Sequence, residues 1–154
     1  MEVTLTEANI NDCEKIHQMQ VIGFKALLDK YQDFETNPGA ETIERIRKRF
    51  EFPQVHHYFI EVNGENVGYI RISRLDEQTC GLSQMFILPD YQGKGYAQQT
   101  IQKVEMLNPQ AKRWELDTIE QEEKLCYLYE KMGYKRTGVR TNIKDGMDII
   151  YYAK

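Results

Sequence analysis

The stretch from Met85 to Glu105 restricts the fold more than any other part of the sequence. Its first four residues, Met85–Leu88, are apolar and are typical of the end of a buried strand. Pro89 ends that strand because proline cannot donate to a strand ladder, and a polar loop with Gly93 and Gly95 follows. A helical pattern then begins, with apolar residues at i, i+4 and i+7: Ala97, Ile101 and Val104. We therefore predict a strand, a glycine turn and a helix in direct succession.

Such a turn is suited to binding an anion. Glycines let a loop curl with its N–H groups pointing inward, and the following helix adds the positive end of its dipole. Lys94 contributes a mobile positive charge between the two glycines. The pattern is neither a Walker loop nor the G-x-G-x-x-G of dinucleotide folds, because position 98 is glutamine. We predict a phosphate-binding turn, and the simpler alternative is a tight strand-to-helix connection.

Length and composition narrow the protein class. A chain of 154 residues is most simply a single domain, residues 1–154, with room for a sizeable core. Hydrophobic residues make up 41% and charged residues 29%, which are ordinary values for a globular protein rather than a disordered one. The formal net charge is −4, with both signs scattered along the chain, so a nucleic-acid partner is not expected.

Metal sites, disulfides and membrane segments are not indicated. Three widely spaced cysteines, Cys13, Cys80 and Cys126, provide neither a disulfide framework nor a zinc motif. His56 and His57 adjoin on a predicted strand, so their side chains point to opposite faces and no third ligand is near. No signal peptide and no apolar run of membrane-spanning length is visible, so we expect no metal, no membrane partner and a cytoplasmic location.

The remaining segments alternate between strand and helix patterns. Period-two alternation on both sides of Asn63-Gly64 predicts a hairpin over residues 58–74. Further helices are expected over residues 13–28 and 41–49, and further strands at 3–6, 80–88, 113–119, 134–140 and 147–153. The element order predicts an α/β (α+β) fold: a mixed, mostly antiparallel central sheet flanked by helices.

A second block supports a specific family. The predicted helix after the fifth strand has an apolar stripe and stops at Gly133, a typical left-handed end. Its residues fit L-Y-x-x-x-G-[FY], at Leu128, Tyr129, Gly133 and Tyr134, and the glycine turn fits Q-x-x-G-x-A, at Gln92, Gly95 and Ala97. With these two blocks and its element order, the chain resembles the GNAT superfamily of N-acetyltransferases. It departs from the family pattern at Glu122, where asparagine is usual, and at Leu125, where alanine is usual.

The resemblance implies acetyl-CoA as cosubstrate and assigns roles to residues. The end of the fourth strand would bind the pantetheine arm through its backbone, and the turn would wrap the pyrophosphate mainly with its amides. These cofactor-binding residues are Phe86, Ile87, Leu88, Gln92, Gly93, Lys94, Gly95, Tyr96, Ala97 and Gln98. Tyr129 would be the general acid that protonates the departing thiolate. A carboxylate at Glu122 would repel the phosphates if it pointed inward.

The chemistry also requires a proton acceptor and an acceptor pocket. An amine can attack a thioester directly, provided that the enzyme holds the reactants in line, removes a proton and polarises the carbonyl. The fourth strand lacks the glutamate that many family members use, so Glu115, Asp117 or a water chain remain as candidates for the base. Substrate-binding candidates are Tyr31, Asp33, Glu35, Glu115 and Asp117. The acidic residues favour a cationic amine, such as a polyamine or a lysine-like group.

Three functions fit these observations to different degrees. The leading hypothesis is an acetyl-CoA-dependent N-acetyltransferase that acts on a small-molecule or peptide amine in a ternary complex. The alternatives are a non-catalytic acyl-CoA sensor that has lost the usual glutamate and asparagine, and an interaction domain whose glycine loop binds nothing. An exposed last strand could pair with a second copy to form a homodimer.

Overall fold

A single seven-stranded sheet runs through the protein in the computed structural model, which describes residues 1–154. The strands are β1 (Thr4–Glu7), β2 (Val55–Val62), β3 (Glu65–Arg74), β4 (Thr79–Ile87), β5 (Arg113–Ile119), β6 (Lys135–Lys144) and β7 (Met147–Ala153). The helices are α1 (Cys13–Gly23), α2 (Lys25–Tyr31), α3 (Ile43–Arg49), α4 (Tyr96–Met106) and α5 (Glu123–Lys131).

The sheet has the order β1-β2-β3-β4-β5-β7-β6. Every neighbouring pair is antiparallel except β4 and β5, which run parallel. A parallel pair needs a crossover connection, and α4 supplies it. The predicted fold class, a mixed and mostly antiparallel sheet flanked by helices, is confirmed.

Strand alternation divides the core between the two faces of the sheet. Phe59 and Tyr69 pack into one cluster with residues of α1 and α3, whereas their neighbours Ile60 and Ile70 pack into a larger cluster with α4 and α5. Successive strand residues point to opposite faces, so each inner strand is apolar on both sides. The sheet is therefore covered by α1 and α3 on one face and by α4 and α5 on the other.

The parallel strands β4 and β5 separate soon after they begin. Only Thr79–Gly81 pairs with Arg113–Glu115, and beyond this point the two strands share no backbone pairs. On its other side β4 carries one extra residue, Ser83, opposite the β3 pair Arg71 and Ile72. A bulge bends its strand and increases the local twist. The result is an opening between the carboxyl-terminal halves of β4 and β5, which we call the β4–β5 gap.

Two details differ from the sequence prediction. The single helix predicted over residues 13–28 is broken at Phe24, which has φ −106° and ψ 5° and separates α1 from α2. Gly23 lies against the ring of Phe86, where a Cβ would be 2.5 Å from a ring carbon, and the Phe24 ring meets the same ring edge-on. The last strand, β7, is enclosed between β5 and β6, so the exposed edge is β6.

The cysteines Cys13, Cys80 and Cys126 are all buried free thiols. No three His, Cys, Asp or Glu side chains are grouped so that they could hold a metal ion. The helices are too short or too polar for any of them to cross a membrane.

A buried histidine makes stability depend on pH. His57 is 5% exposed, stacks on Phe50 with ring centroids 3.8 Å apart, and has its Nδ1 2.6 Å from the hydroxyl oxygen of Tyr69. Burial, assisted by the charge of Arg71, lowers the pKa of His57 from 6.5 to about 4. Between these two values the unfolded chain takes up a proton and the folded chain does not. The stabilisation is complete above pH 6.5 and is lost as the pH falls towards 4.

We expect His57 to account for a loss of about 2–3 kcal/mol in the free energy of unfolding between about pH 7 and pH 4. Urea denaturation at both pH values measures it. His57→Phe should be less stable at neutral pH, because Tyr69 loses its partner, but its pH slope should be shallower by that amount. The half-buried neighbour His56 provides the control, since His56→Gln should retain most of the slope. Equal slopes in the wild type and His57→Phe would contradict this assignment.

Candidate active site

The glycine turn presents unpaired main-chain N–H groups. Gly93 and Gly95 have φ values of +78° and +80°, in the left-handed region where only glycine is unstrained. α4 begins directly after Gly95 without a side-chain cap. The six consecutive N–H groups from Gly93 to Gln98 make no hydrogen bond within the chain. This arrangement, at the positive end of α4, is suited to hold an anion with several oxygen atoms.

A cavity of about 270 Å³, here called the turn cavity, lies beside these N–H groups. Its lining includes Ile87 of β4 and three residues of α5, namely Lys124, Tyr127 and Leu128. Lys94 is exposed and does not line it. Lys124 and Tyr127 were missed by the sequence analysis. A lysine and an aromatic residue beside the L-Y block were the available signal.

The end of β4 turns alternate main-chain groups towards the β4–β5 gap. The N–H of Leu88 donates to the carbonyl of Val67 at 2.8 Å, and the carbonyl of Phe86 lies against Gly68, where a Cβ would be only 2.2 Å away. Both groups therefore face β3. Because main-chain groups alternate in direction along a strand, those of Ile87 face the gap, as do those of Met85. The carbonyl of Ile87 accepts a 2.8 Å hydrogen bond from Nε2 of Gln92.

A larger cavity of about 580 Å³, here called the cleft, lies on the other side of the gap. Its walls come from β4 at Leu82–Met85, from β5 at Asp117–Ile119, and from the loop between α2 and α3. The cleft reaches Met85 and Tyr129, and the turn cavity reaches Ile87 and Leu128. The two cavities thus approach each other within two residues along β4 and at adjacent residues of α5.

Tyr129 lies at this junction. Its side chain is 6% exposed, lines the cleft, and packs edge-on against Tyr134 with ring centroids 6.1 Å apart. The hydroxyl makes no hydrogen bond within the chain. Burial, with the nearby charge of Asp117, raises the pKa of Tyr129 well above its usual range. The phenol therefore keeps its proton throughout the neutral pH range.

The two acidic candidates on β5 have different surroundings. Asp117 lines the cleft and is exposed there, and partial desolvation raises the pKa of its carboxyl. Glu115 does not line the cleft and forms a 2.7 Å ion pair with Arg113. Of the two, the structure brings only Asp117 near Tyr129.

The substrate-binding candidates at the end of α2 and in the loop after it also differ in their surroundings. Asp33 and Glu35 line the cleft, but Tyr31 does not. Asp33 is buried, and its carboxylate accepts hydrogen bonds from the N–H of Glu35 and from the N–H and hydroxyl of Thr36. Such bonds stabilise the turn and occupy the carboxylate. Glu35 is exposed and forms no ion pair.

Glu122, the departure from the family pattern, points away from the turn cavity. Its carboxylate accepts from Nζ of Lys30 at 2.7 Å and from the hydroxyl of Tyr31. Burial alone would raise the pKa of Glu122, but these hydrogen bonds outweigh burial and lower it. Glu122 is therefore not expected to repel phosphates, because its carboxylate is paired with Lys30 and Tyr31 of α2 instead.

The cleft contains a polar network that the sequence analysis missed. Buried Gln84 donates to Oε1 of Gln20 at 3.1 Å and accepts from Nη1 of Arg71 at 2.8 Å. Glu41 receives a two-point contact from Arg49 nearby. A lone arginine inside the apolar strand pattern of residues 67–72 was the available signal, since a charge there is rarely buried without purpose.

Comparison with family models decides the family. The model of the acetyltransferase (GNAT) family matches residues 24–134, which is well over half of the chain. This chain belongs to the acetyltransferase (GNAT) family. Members of that family use acetyl-CoA to acetylate amines, so the predicted family, enzyme class and cosubstrate are confirmed at that level. A search of curated proteins gives no match.

Solved structures of other proteins share the fold of this GNAT protein. Spermidine N-acetyltransferase from Vibrio cholerae, in complex with CoA and spermine, aligns with a TM-score of 0.78 at 18% identity, over 99% of this chain and 95% of that one. An acetyltransferase from Thermus thermophilus aligns with a TM-score of 0.76 at 14% identity, over 100% of this chain and 97% of that one.

A third structure comes from Salmonella typhimurium and is described as modifying the N-terminal serine of ribosomal protein L7/L12. It aligns with a TM-score of 0.75 at 16% identity, over 100% of this chain and 95% of that one. At these identities the likeness extends to the fold, and the acceptor of this GNAT protein is a separate question.

The turn geometry predicts a specific effect of substitution at Gly95. A β-branched residue is strained at φ +80°, so Gly95→Val should distort the turn and raise the Kd for CoA about tenfold or more. Isothermal titration calorimetry measures this affinity. Gly64 is the matched control, because it has φ +79° and open space around it at the β2–β3 turn. Gly64→Val should destabilise the protein about as much as Gly95→Val does, but should leave the Kd for CoA unchanged. An unchanged Kd in Gly95→Val would contradict the assignment of the turn.

Proposed function

We propose that this protein acetylates a primary amine by direct attack on acetyl-CoA, with the cosubstrate in the turn cavity and the β4–β5 gap and the amine in the cleft. The observation that carries the proposal is the close approach of the two cavities, one of which reaches Met85 and Tyr129 and the other Ile87 and Leu128. A ternary complex needs two ligands that enter from different sides and touch at one point. The gap between the strands offers such a point beside the hydroxyl of Tyr129.

The residues around the turn fit coenzyme A. We propose that the N–H groups of Gly93–Gln98 hold the diphosphate, since six unpaired donors at a helix start match a doubly charged anion. Lys124 supplies a positive charge on the opposite wall, and Tyr127, 68% exposed, offers a flat face to the adenine ring. The exposed groups of Met85 and Ile87 would hydrogen-bond the pantetheine arm, which thereby adds to the edge of β4.

The reaction requires a new C–N bond, a broken C–S bond and two proton transfers. Acetyl-CoA supplies an activated thioester, so no covalent enzyme intermediate is required. A main-chain N–H of Met85 or Ile87 polarises the thioester carbonyl, and Tyr129 protonates the departing sulfur. The ammonium loses its proton to Asp117, either directly or through water. The raised pKa of Tyr129 keeps the acid protonated throughout the neutral range.

Tyr129→Phe tests the general acid. We expect kcat to fall about 100-fold or more, because proton donation to the thiolate is lost, while the Kd for CoA changes less than about threefold. Thiol release and calorimetry measure the two quantities. Tyr152→Phe is the matched control, because the Tyr152 ring lies next to Tyr129, its hydroxyl donates a 2.7 Å hydrogen bond to Glu130, and it lines neither cavity. It should lower stability and preserve kcat. Wild-type turnover in Tyr129→Phe would remove this residue from the mechanism.

A comparison of Asp117→Asn with Glu115→Gln tests the proton acceptor. The two positions lie on one face of β5, two residues apart, but only Asp117 lines the cleft. Asp117→Asn should lower kcat/KM about 100-fold, whereas Glu115→Gln, which loses only an exposed ion pair, should stay within about twofold of wild type. Steady-state rates from about pH 6 to about pH 9 measure both. Equal effects of the two substitutions would contradict the role of Asp117.

An acyl-CoA sensor shares the same cosubstrate site. It would bind CoA with no acetyl transfer to any amine, so a broad acceptor screen separates the two functions. We further propose that residues 1–154 act as one domain and that the protein is cytoplasmic, where its three buried thiols stay reduced. Homodimer formation is proposed through β6, an edge strand whose residues are almost all exposed.

A further inference from the structure

One arginine in the cleft has no carboxylate partner. Arg71 lies on β3, lines the cleft, and donates from Nη1 to Oε1 of Gln84 at 2.8 Å. It forms no ion pair with any Asp or Glu side chain. Surrounding protein and the nearby charge of Arg49 lower the pKa of Arg71. The charge of Glu41 and the hydroxyl of Tyr69 act on the pKa of Arg71 in the opposite direction. A guanidinium withdrawn from water without a directly bound carboxylate is costly, so its place in a ligand cavity favours an anionic partner.

Glu41, the carboxylate closest to this group of arginines, is already engaged. Glu41 is held by a two-point contact with Arg49, and Nε of Arg45 approaches it at 3.7 Å. Arg45, Arg49 and Arg71 all line the cleft, and Glu41 is the one carboxylate of the cleft that forms an ion pair with any of them. These four side chains together carry an excess of two positive charges.

The other acidic groups of the cleft form no ion pair with Arg71. The carboxylate of Asp33 is occupied by its own turn, and Glu35 is exposed on the same loop. Asp117 lies on β5, two strands away from β3 in the sheet, and its charge acts on Tyr129. Arg71 is therefore left without a bound carboxylate, while Asp117 lies beside the proposed general acid.

We infer that the acceptor is an amine that also carries a carboxylate, with its carboxylate on Arg71 and its amine beside Asp117 and Tyr129. This inference rests on the proposed function and names the substrate class of the same site. The flat guanidinium fork of arginine matches a carboxylate through two parallel hydrogen bonds, whereas a polyamine offers nothing that Arg71 could bind. Such an acceptor would be held at both ends, which places its nitrogen next to the thioester.

The first test uses the wild-type protein and matched acceptors. Each amino acid in a panel is compared with its amide and with its decarboxylated amine, and spermidine is included as a polycation. Thiol release from acetyl-CoA is measured for each compound. Loss of a charge-assisted hydrogen-bonded pair should lower kcat/KM about 10- to 100-fold for the amide and the decarboxylated amine relative to the acid.

The second test removes the charge. Arg71→Met keeps much of the side-chain length and should abolish the preference for acid over amide, with most of the change in KM. Arg74→Met is the matched control, because Arg74 lies on the same strand and outside the cleft, and it should keep the preference. A merely structural role of Arg71 would lower the rates with all acceptors equally and leave their ratio unchanged. Circular dichroism and CoA calorimetry check that each variant is folded.

The outcomes are distinguishable. A preference for acids that disappears in Arg71→Met supports the inference. Equal or faster acetylation of amides, decarboxylated amines or spermidine overturns it and leaves the acetyltransferase function standing. CoA binding with no acetylation of any acceptor overturns it and favours the sensor. Absence of CoA binding overturns the proposed function and the inference together. If Arg71→Met does not fold, the acceptor comparison on the wild type still decides.

Discussion

The separation of two parallel strands is the constraint on which the rest of this structure depends. β4 and β5 share only three residue pairs, and the extra residue Ser83 bends β4 away just beyond them. An inner sheet edge with free N–H and C=O groups would be costly if it stayed dry and unpaired. Here it opens into two cavities, so water or a strand-like ligand can complete it. The glycine turn, α4 and Tyr129 all take their positions from the ends of these two strands.

The turn cavity and the cleft differ in their charged residues. No carboxylate lines the turn cavity, and its one charged side chain is Lys124. The nearby carboxylate of Glu122 is held by Lys30 and Tyr31 of α2 instead. The same pairing connects the end of α2 to the start of α5. In the cleft, Glu41 pairs with Arg49, whereas Arg71 donates to the neutral amide of Gln84 and has no carboxylate partner.

The sequence predicted turns and helix ends well where a positive φ value requires glycine or asparagine. The hairpin at Asn63-Gly64, the turn at Gly93 and Gly95, and the end of α5 before Gly133 all have positive φ values, and these residue types are the ones that tolerate such values. The break at Phe24 was missed, because it arises from the contact of Gly23 and Phe24 with the distant ring of Phe86. A contact between residues so far apart in the chain leaves no periodic signal.

The sequence by itself determined the glycine turn, the helix that carries Tyr129 and the mixed sheet, since each follows from residue spacing over a few turns or strands. Only the tertiary structure decided which acidic groups lie near Tyr129. Glu115 and Asp117 are equivalent in the strand pattern, yet one pairs with Arg113 and the other faces Tyr129. Arg71, Gln84 and Glu41 lie on three separate elements. Their convergence depends on how α1 and α3 pack on the sheet, which is a long-range property of the fold.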